Sequence, residues 1–480
     1  MTGRPTDQPA TADVEADPRR WRALTVCLSA GFMTLLDVSI VNVALPSIQR
    51  SLVASDSQLQ WVVAGYSLAF GLVLVPAGRI GDARGRRRVF MVALAAFVLT
   101  SAAAGLAQSA AWLVVARLAQ GVAAGVLNPQ ISGVIQDLFR GAERGRAFGR
   151  LGTTIGLSTA VGPLAGGLIL GVAGVENGWR WVFLVNVPVG AVALLLAWRL
   201  LPVDGRGTNQ ERLDPVGSLL LGAAVLLVLL PVVQERQWPG PWPWLLVPVG
   251  LGVGWLFLRW ERSYADRGRP PLIDMSLLRV RSYATGSLLA AVYFAGFTSQ
   301  FFVLTLFLQL GEGYSPLAAG LTATPFALGS AAAATVGGRV VDRAGLRLVV
   351  GGLVLVVTGL AAVNVAAGLA AGSRVGWVLA VPLLVAGVGS GLVISPNRTL
   401  TLAEVPVARG GVAAGVLQVG QRIGAAMGIA AVGAVFFGVQ SARGSFTTAF
   451  QVSLWVSIGF LALALLLALA DVRRGRPVSS

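Results

Sequence analysis

Apolar blocks of about twenty residues, each long enough to cross a hydrocarbon layer as a helix, recur along the chain from Trp21 to Ala470. The polar stretches between them are short. This periodicity predicts helices over 21–45, 58–78, 89–108, 111–137, 145–171, 180–200, 214–233, 242–260, 283–310, 316–337, 347–369, 375–397, 409–438 and 448–470. Many of these blocks are rich in Gly, Ala and β-branched residues, which weaken a helix in water. In lipid the unsatisfied backbone leaves little alternative, and small residues let helices approach closely. The expected fold class is an all-α polytopic membrane protein.

Composition agrees: 55% of residues are hydrophobic and only 12% charged, about half the charge of an ordinary globular domain. The net charge of +16 does not point to nucleic acid, because the basic residues sit in the short stretches between apolar blocks. All thirty-seven of them are Arg. Their distribution sets an expected orientation with both termini cytosolic. That side receives Arg19 and Arg20, Arg84 to Arg88, the cluster from Arg140 to Arg150, Arg199, Arg206, Arg212, the group from Arg259 to Arg281, Arg339, Arg343, Arg347, Arg409, Arg473 and Arg474. The outside receives Arg50, Arg180, Arg236, Arg374 and Arg443. The chain has no His and one Cys, Cys27, so neither an internal disulfide nor a His- or Cys-rich metal site is expected, and no cofactor is. The first residues lack an apolar core and read as a disordered tail.

A long-range repeat organises the chain. Gly78-Arg79 with Asp82, Gly85 and Arg87 returns 260 residues later as Gly338-Arg339 with Asp342, Gly345 and Arg347. The expected layout is a tail over 1–20, a six-helix bundle over 21–206, two linker helices within 207–270 and a second six-helix bundle over 271–480. Paired halves of this kind suit alternating access to one site between them.

Three charges lie deep in the apolar blocks. Asp37, inside Leu35-Leu36-Asp37-Val38-Ser39, is expensive as an isolated carboxylate, so it is expected to be paired, protonated or water-exposed. It is the candidate for proton coupling, with a structural ion pair as the plain alternative. Arg117, expected at a similar depth, is its natural counterpart, since Arg does not give up its proton. Arg422, with Gln418 and Gln421, makes a polar patch in the second half, either as a ligand contact or as electrostatic balance for Asp37. Asp82 is placed to cap the helix that follows it, and Arg86 and Arg87 to reach neighbouring helix ends or acids such as Asp137. Such contacts would make and break with conformation, forming a cytosolic gate. Gly162-Pro163 and Gly166-Gly167 give the fifth block a bendable, closely packing line. Tyr293, Phe297 and Gln300, with neighbouring Phe residues, suit an aromatic or amphipathic ligand.

These segments resemble the major facilitator superfamily, and in particular its fourteen-helix drug:proton antiporter branch. The stretch from Leu36 to Pro46, which includes Asn42, is similar to that branch's helix 1 signature, with Ser39 where Thr is more usual. Gly78 to Arg87 is similar to the superfamily's loop between helices 2 and 3. Arg117-Leu118-Ala119-Gln120-Gly121, continuing through Gly125 and Pro129, is similar to the helix 4 motif whose Arg is tied to proton transfer. Gly156, Gly162-Pro163 and Gly166-Gly167 correspond to a helix 5 motif of antiporters. The resemblance implies a major facilitator fold of two six-helix bundles plus two inserted helices. It also implies a proton-coupled antiporter exporting a drug, antibiotic or secondary metabolite, working as a monomer in the cytoplasmic membrane. Its partners would be a small-molecule substrate, protons and membrane lipid, with no nucleic acid. A proton-coupled uptake carrier, or a non-transporting receptor or scaffold, are the rival readings. The residues favour a neutral or at most monocationic cargo, and Arg422 leaves an anion open.

Overall fold

The computed structural model describes residues 19–174, 176–202, 214–233, 240, 242–269, 271–273 and 275–473. The tail before Arg19, the stretch 203–213 with Arg206 and Arg212, Arg236 and Arg474 lie outside the described residues. Sixteen α-helices are described: α1 Arg20–Leu52, α2 Asp56–Gln60, α3 Tyr66–Arg84, α4 Arg86–Gly105, α5 Ala110–Leu138, α6 Gly141–Ala173, α7 Gly178–Leu184, α8 Asn186–Leu200, α9 Pro215–Val233, α10 Leu246–Asp266, α11 Arg281–Leu306, α12 Pro316–Ala344, α13 Leu346–Ala367, α14 Val375–Thr401, α15 Gly410–Arg443 and α16 Phe446–Arg473. A π turn at Trp61–Gly65 joins α2 to α3 without a break. Among the described residues, twelve helical stretches are long and apolar enough to cross a membrane. Leu164–Ala173 in α6 and Pro215–Val228 in α9 are shorter apolar stretches.

Several expected spans need correction: the 58–78 block runs on to Arg84 and the 316–337 block to Ala344, and two others bear on the site. The first helix does not stop near residue 45 but continues through Pro46 to Leu52. Asp37 therefore lies at its middle rather than about two turns from an end. The 180–200 block is two helices, because Pro188 lacks an N–H and its ring crowds the carbonyl of Leu184, where α7 ends. That break places Asn186 at the first position of α8.

The repeated glycines have a common cause. Gly85 (φ 95°) joins α3 to α4 and Gly345 (φ 55°) joins α12 to α13, each in the left-handed region that a side chain disfavours.

Helices α1 to α8 pack as one group and α11 to α16 as another, with α9 and α10 paired and α9 resting on α3 and α15. The two groups meet along α3 with α15 and along α6 with α12. Both seams depend on glycine. A Cβ on Gly78 would lie 2.4 Å from the Gly411 carbonyl oxygen, and one on Gly145 2.7 Å from that of Gly338. Gly162 faces Ser39 of α1, and Gly166 faces Ile40 and Val43. Gly156 faces Ala327 and Ala331 of α12, and Gly167 faces Leu317. α6 thus lies between α1 of its own group and α12 of the other, held at distances that larger residues would not allow. Pro163 lies within the same helix.

The start of α9 is clasped to α10. Asp214 accepts from the Gly217 amide at 2.9 Å and from the Trp260 indole at 2.8 Å, and Glu261 accepts from the Ile273 amide at 2.9 Å.

Candidate functional site

In the middle of the first group α1, α4, α5 and α8 converge on a buried polar cluster. Arg117 lies on α5 and its guanidinium makes an ion pair with the Asp37 carboxylate of α1; both side chains are sealed from solvent. Gln120, one turn along from Arg117, accepts from it at 2.7 Å and donates to Asp37 at 3.0 Å. Asn186 donates to Asp37 at 3.2 Å. Gln120 and Asn186 also reach the Ser101 hydroxyl of α4, each at 3.1 Å. Arg117 further donates to the Val62 carbonyl at 2.9 Å and lies 4.2 Å from the centre of the Tyr66 ring.

The Asp37 carboxylate is therefore held by three donors, one of them charged. A proton arriving there would cancel the ion pair, yet Arg117 would keep a carbonyl, the Gln120 oxygen and an aromatic face. Such a site has two satisfiable charge states, which a pair with no other partners lacks. The sequence singled out Asp37 and Arg117 but not Ser101, Gln120, Asn186 or Tyr66. The spacing of Gln120 three residues after Arg117 carried the signal for one of them, and Asn186 before Pro188 for another.

A second polar assembly lies where α3 meets α15, at the Arg-rich end of the bundle. Asp82 is not a cap for α4, as expected from its place in the chain. The preceding helix runs on to Arg84, which turns Asp82 toward the other group, and it caps α15 instead. It accepts from the Gly411 amide at 3.2 Å and the Val412 amide at 3.0 Å. On its other side it accepts from Arg86 Nε at 3.1 Å and Nη2 at 2.9 Å. Arg86 also pairs with Asp137 at 2.9 Å, donates to the Gly133 carbonyl and reaches across to the Val407 carbonyl at 2.7 Å. Arg87 donates to the Trp198 carbonyl near the end of α8. The repeated copy is different, because Asp342 is exposed.

The remaining candidates separate into two places. Arg422 lies 4.6 Å from the centre of the Phe70 ring of α3, with Gln418 buried one turn before it and Gln421 half-buried. Asn42 is exposed on α1, and its amide donates to the Val38 carbonyl at 3.2 Å. Val38 packs against the same apolar cluster as Val419 and Ile423, the neighbours of Arg422. Gln300 and Tyr293 are not brought together with these. The Tyr293 hydroxyl donates to Ser390 at 2.8 Å, and its ring stacks on Phe297 with centroids 5.6 Å apart. Gln300 lines a cavity inside the second group with Leu360, Leu383 and Leu454, and neither of its polar atoms has a partner. Tyr293 and Gln300 turn inward onto the second group, whereas Phe294, Phe297, Phe301 and Phe302 are half-buried, Phe297 against Phe301 and Phe326.

Two bundles of apolar helices joined at glycine seams, with a buried ion pair inside one and a charged latch between them, define a multi-pass membrane protein with paired halves. Residues 27–429 match the Major Facilitator Superfamily, and the chain belongs to that family. It is 37% identical over 442 residues to a probable actinorhodin transporter of Streptomyces coelicolor, covering 91% of this chain and 76% of that protein. It is 36% identical over 430 residues to the puromycin resistance protein of Streptomyces alboniger, covering 89% of this chain and 84% of that one. The crystal structure of the human organic anion transporter MFSD10 shares the fold with a TM-score of 0.69 at 16% identity, covering 94% of this chain and all of that one.

Proposed function

We propose that this protein is a proton-coupled antiporter that exports small aromatic or amphipathic compounds, of the antibiotic or secondary-metabolite kind, from the cytosol by alternating access. On this reading it crosses the cytoplasmic membrane fourteen times as a functional monomer, with two six-helix halves joined by α9 and α10. Both termini and the Asp82 latch face the cytosol. Similarity to relatives named for antibiotic transport and resistance supports the export class. The observation that carries the coupling is the Asp37 carboxylate, buried and held by Arg117, Gln120 and Asn186.

The chemistry follows from that cluster. With Asp37 ionised, α1, α5 and α8 are drawn to one centre. Protonation removes the attraction to Arg117 and loosens the centre, so the state of one carboxyl biases the packing of a whole half. Opening to the outside loads the proton and opening to the cytosol releases it. The Asp82 and Arg86 latch, with Gly78 against Gly411, keeps the cytosolic end closed during loading.

Proton-gradient-driven accumulation of an exported compound in inverted vesicles tests this reading. Asp37→Asn is expected to abolish accumulation while downhill exchange remains measurable. Accumulation at the normal rate in that variant would refute the assignment.

A further inference from the structure

Arg422 and Arg398 lie within the spans and, among the described residues, neither pairs with a carboxylate; the sequence singled out only Arg422. Arg422, the other half's contribution beside Phe70, takes part in no ion pair or hydrogen bond among the described residues, its ring contact with Phe70 aside. Arg398, near the end of α14, reaches from the second group to the first, donating to the Ser132 hydroxyl of α5 and lying 5.9 Å from the Phe148 ring centre of α6. Its Nε is buried without a partner.

The polar atoms around both cations are also unpaired. The Gln418 amide nitrogen is buried without an acceptor. Ser395, one turn from Arg398, has a buried hydroxyl with no partner, and Gln136, one turn from Ser132, has neither side-chain atom bonded. The carboxylates of the spans are committed elsewhere. Asp37 is held by Arg117, Asp82 by Arg86 and the α15 amides, and Asp471 by Arg281. Asp214 and Glu261 are held in the α9–α10 clasp, and Asp342 is exposed. Both arginines are half-buried with no carboxylate beside them among the described residues, a partly desolvated positive charge that an anionic guest would balance.

We propose that the carried compound is an organic anion, a carboxylate or phenolate on an aromatic frame. It is bound by Arg422 and Gln418 against Phe70, and Arg398 and Ser395 receive it at the Arg-rich end. This rests on the carrier reading and fixes the charge of its cargo. Arg422 lies about three turns into α15 from that end and Arg398 near the end of α14 against α5 and α6, so the two cations are successive stations at different depths between the groups rather than a single pocket. A dication meets two like charges on that route, and a neutral compound leaves both cations as they are.

The test uses two dyes on one xanthene frame, anionic fluorescein and cationic rhodamine 6G, with the purified full-length protein in detergent. Anisotropy is expected to show saturable fluorescein binding that weakens with added salt and much weaker rhodamine 6G binding. Arg422→Gln should lower fluorescein affinity about tenfold or more, the loss of one charge-assisted contact. Arg422→Lys, which keeps the charge, should recover part of it and guards against misfolding of the Gln variant. Arg398→Gln should slow fluorescein entry into inverted vesicles. The proposal is overturned by absent fluorescein binding, by rhodamine 6G binding as tightly, or by an unchanged affinity in Arg422→Gln. Arg422-dependent fluorescein binding without proton-driven uptake would defeat the export reading and leave this one standing.

Discussion

The Asp82 latch gives a prediction whose size follows from its bonds. Its carboxylate accepts four hydrogen bonds, two from α15 amides and two from Arg86. Asn in its place keeps one acceptor oxygen, turns an NH2 group toward donors and loses the charge. Losing the equivalent of two charge-assisted bonds costs about 3 kcal/mol at the lower end of the usual range. The two amide bonds exist only while α3 and α15 are in contact, whereas the Arg86 bonds stay within the first group, so the loss of the amide bonds falls on the closed state. It corresponds to a shift of about 100-fold in the closed-to-open equilibrium. Spin labels at Arg140→Cys and Arg343→Cys, both exposed at that end, in a Cys27→Ser background, report the separation of the halves by double electron-electron resonance. Asp82→Asn is expected to move most of the population to the longer distance. The matching change at the exposed Asp342 should leave the distribution as it is. An unchanged distribution in Asp82→Asn, or an equal shift in Asp342→Asn, would refute the reasoning.

Other outcomes follow from contacts already described. Gly78→Ala places a methyl 2.4 Å from the Gly411 oxygen and should lengthen the same spin-label distance; no change there removes the seam's role. Gln300→Leu replaces an amide with no partners by an apolar group of similar size, and should stabilise the protein by about 1–3 kcal/mol. A fall in the thermal midpoint in detergent would contradict that. Asp214→Ala removes the bonds to Gly217 and Trp260 and should cost about 1 kcal/mol or more, read as faster amide exchange at the start of α9. Protection equal to wild type would show that the clasp carries no stability.

The helices were legible because lipid leaves few ways to satisfy a backbone, so hydropathy maps onto element type almost directly. Asp37 and Arg117 were legible for the same reason, since a charge in an apolar block needs an explanation. Helix ends were less so, because in lipid an interior proline such as Pro46 does not force a stop. Asp82 was misassigned because its cap partner lies 330 residues away at Val412, and local spacing carries no information on that pairing. Tyr293 and Gln300 were read as ligand contacts because composition cannot say which face of α11 turns toward the interior of its own group. Arg398 was passed over because it lies close to the end of its block, where an Arg ordinarily reads as a topological charge.

The two halves differ in a way that bears on coupling. By the order of the repeat, α1, α4, α5 and α8 correspond to α11, α13, α14 and α16. In the first set these helices meet on Asp37, Ser101, Arg117, Gln120 and Asn186. In the second they meet on Gln300, Leu360, Val363, Leu383, Phe450 and Leu454. One interior therefore holds a carboxyl group and the other an amide, which has no acidic proton to exchange. A duplicated carrier with both interiors charged would place two carboxyls in competition for the same conformational step. The second half's contribution to the seam is made by α15, which carries Arg422 and receives the Asp82 cap. On the antiport reading the proton acts within the first half, and the helix that the latch releases is the one that presents Arg422. Proton and cargo thus need no shared residue to be coupled; they need only compete for the packing between α3 and α15.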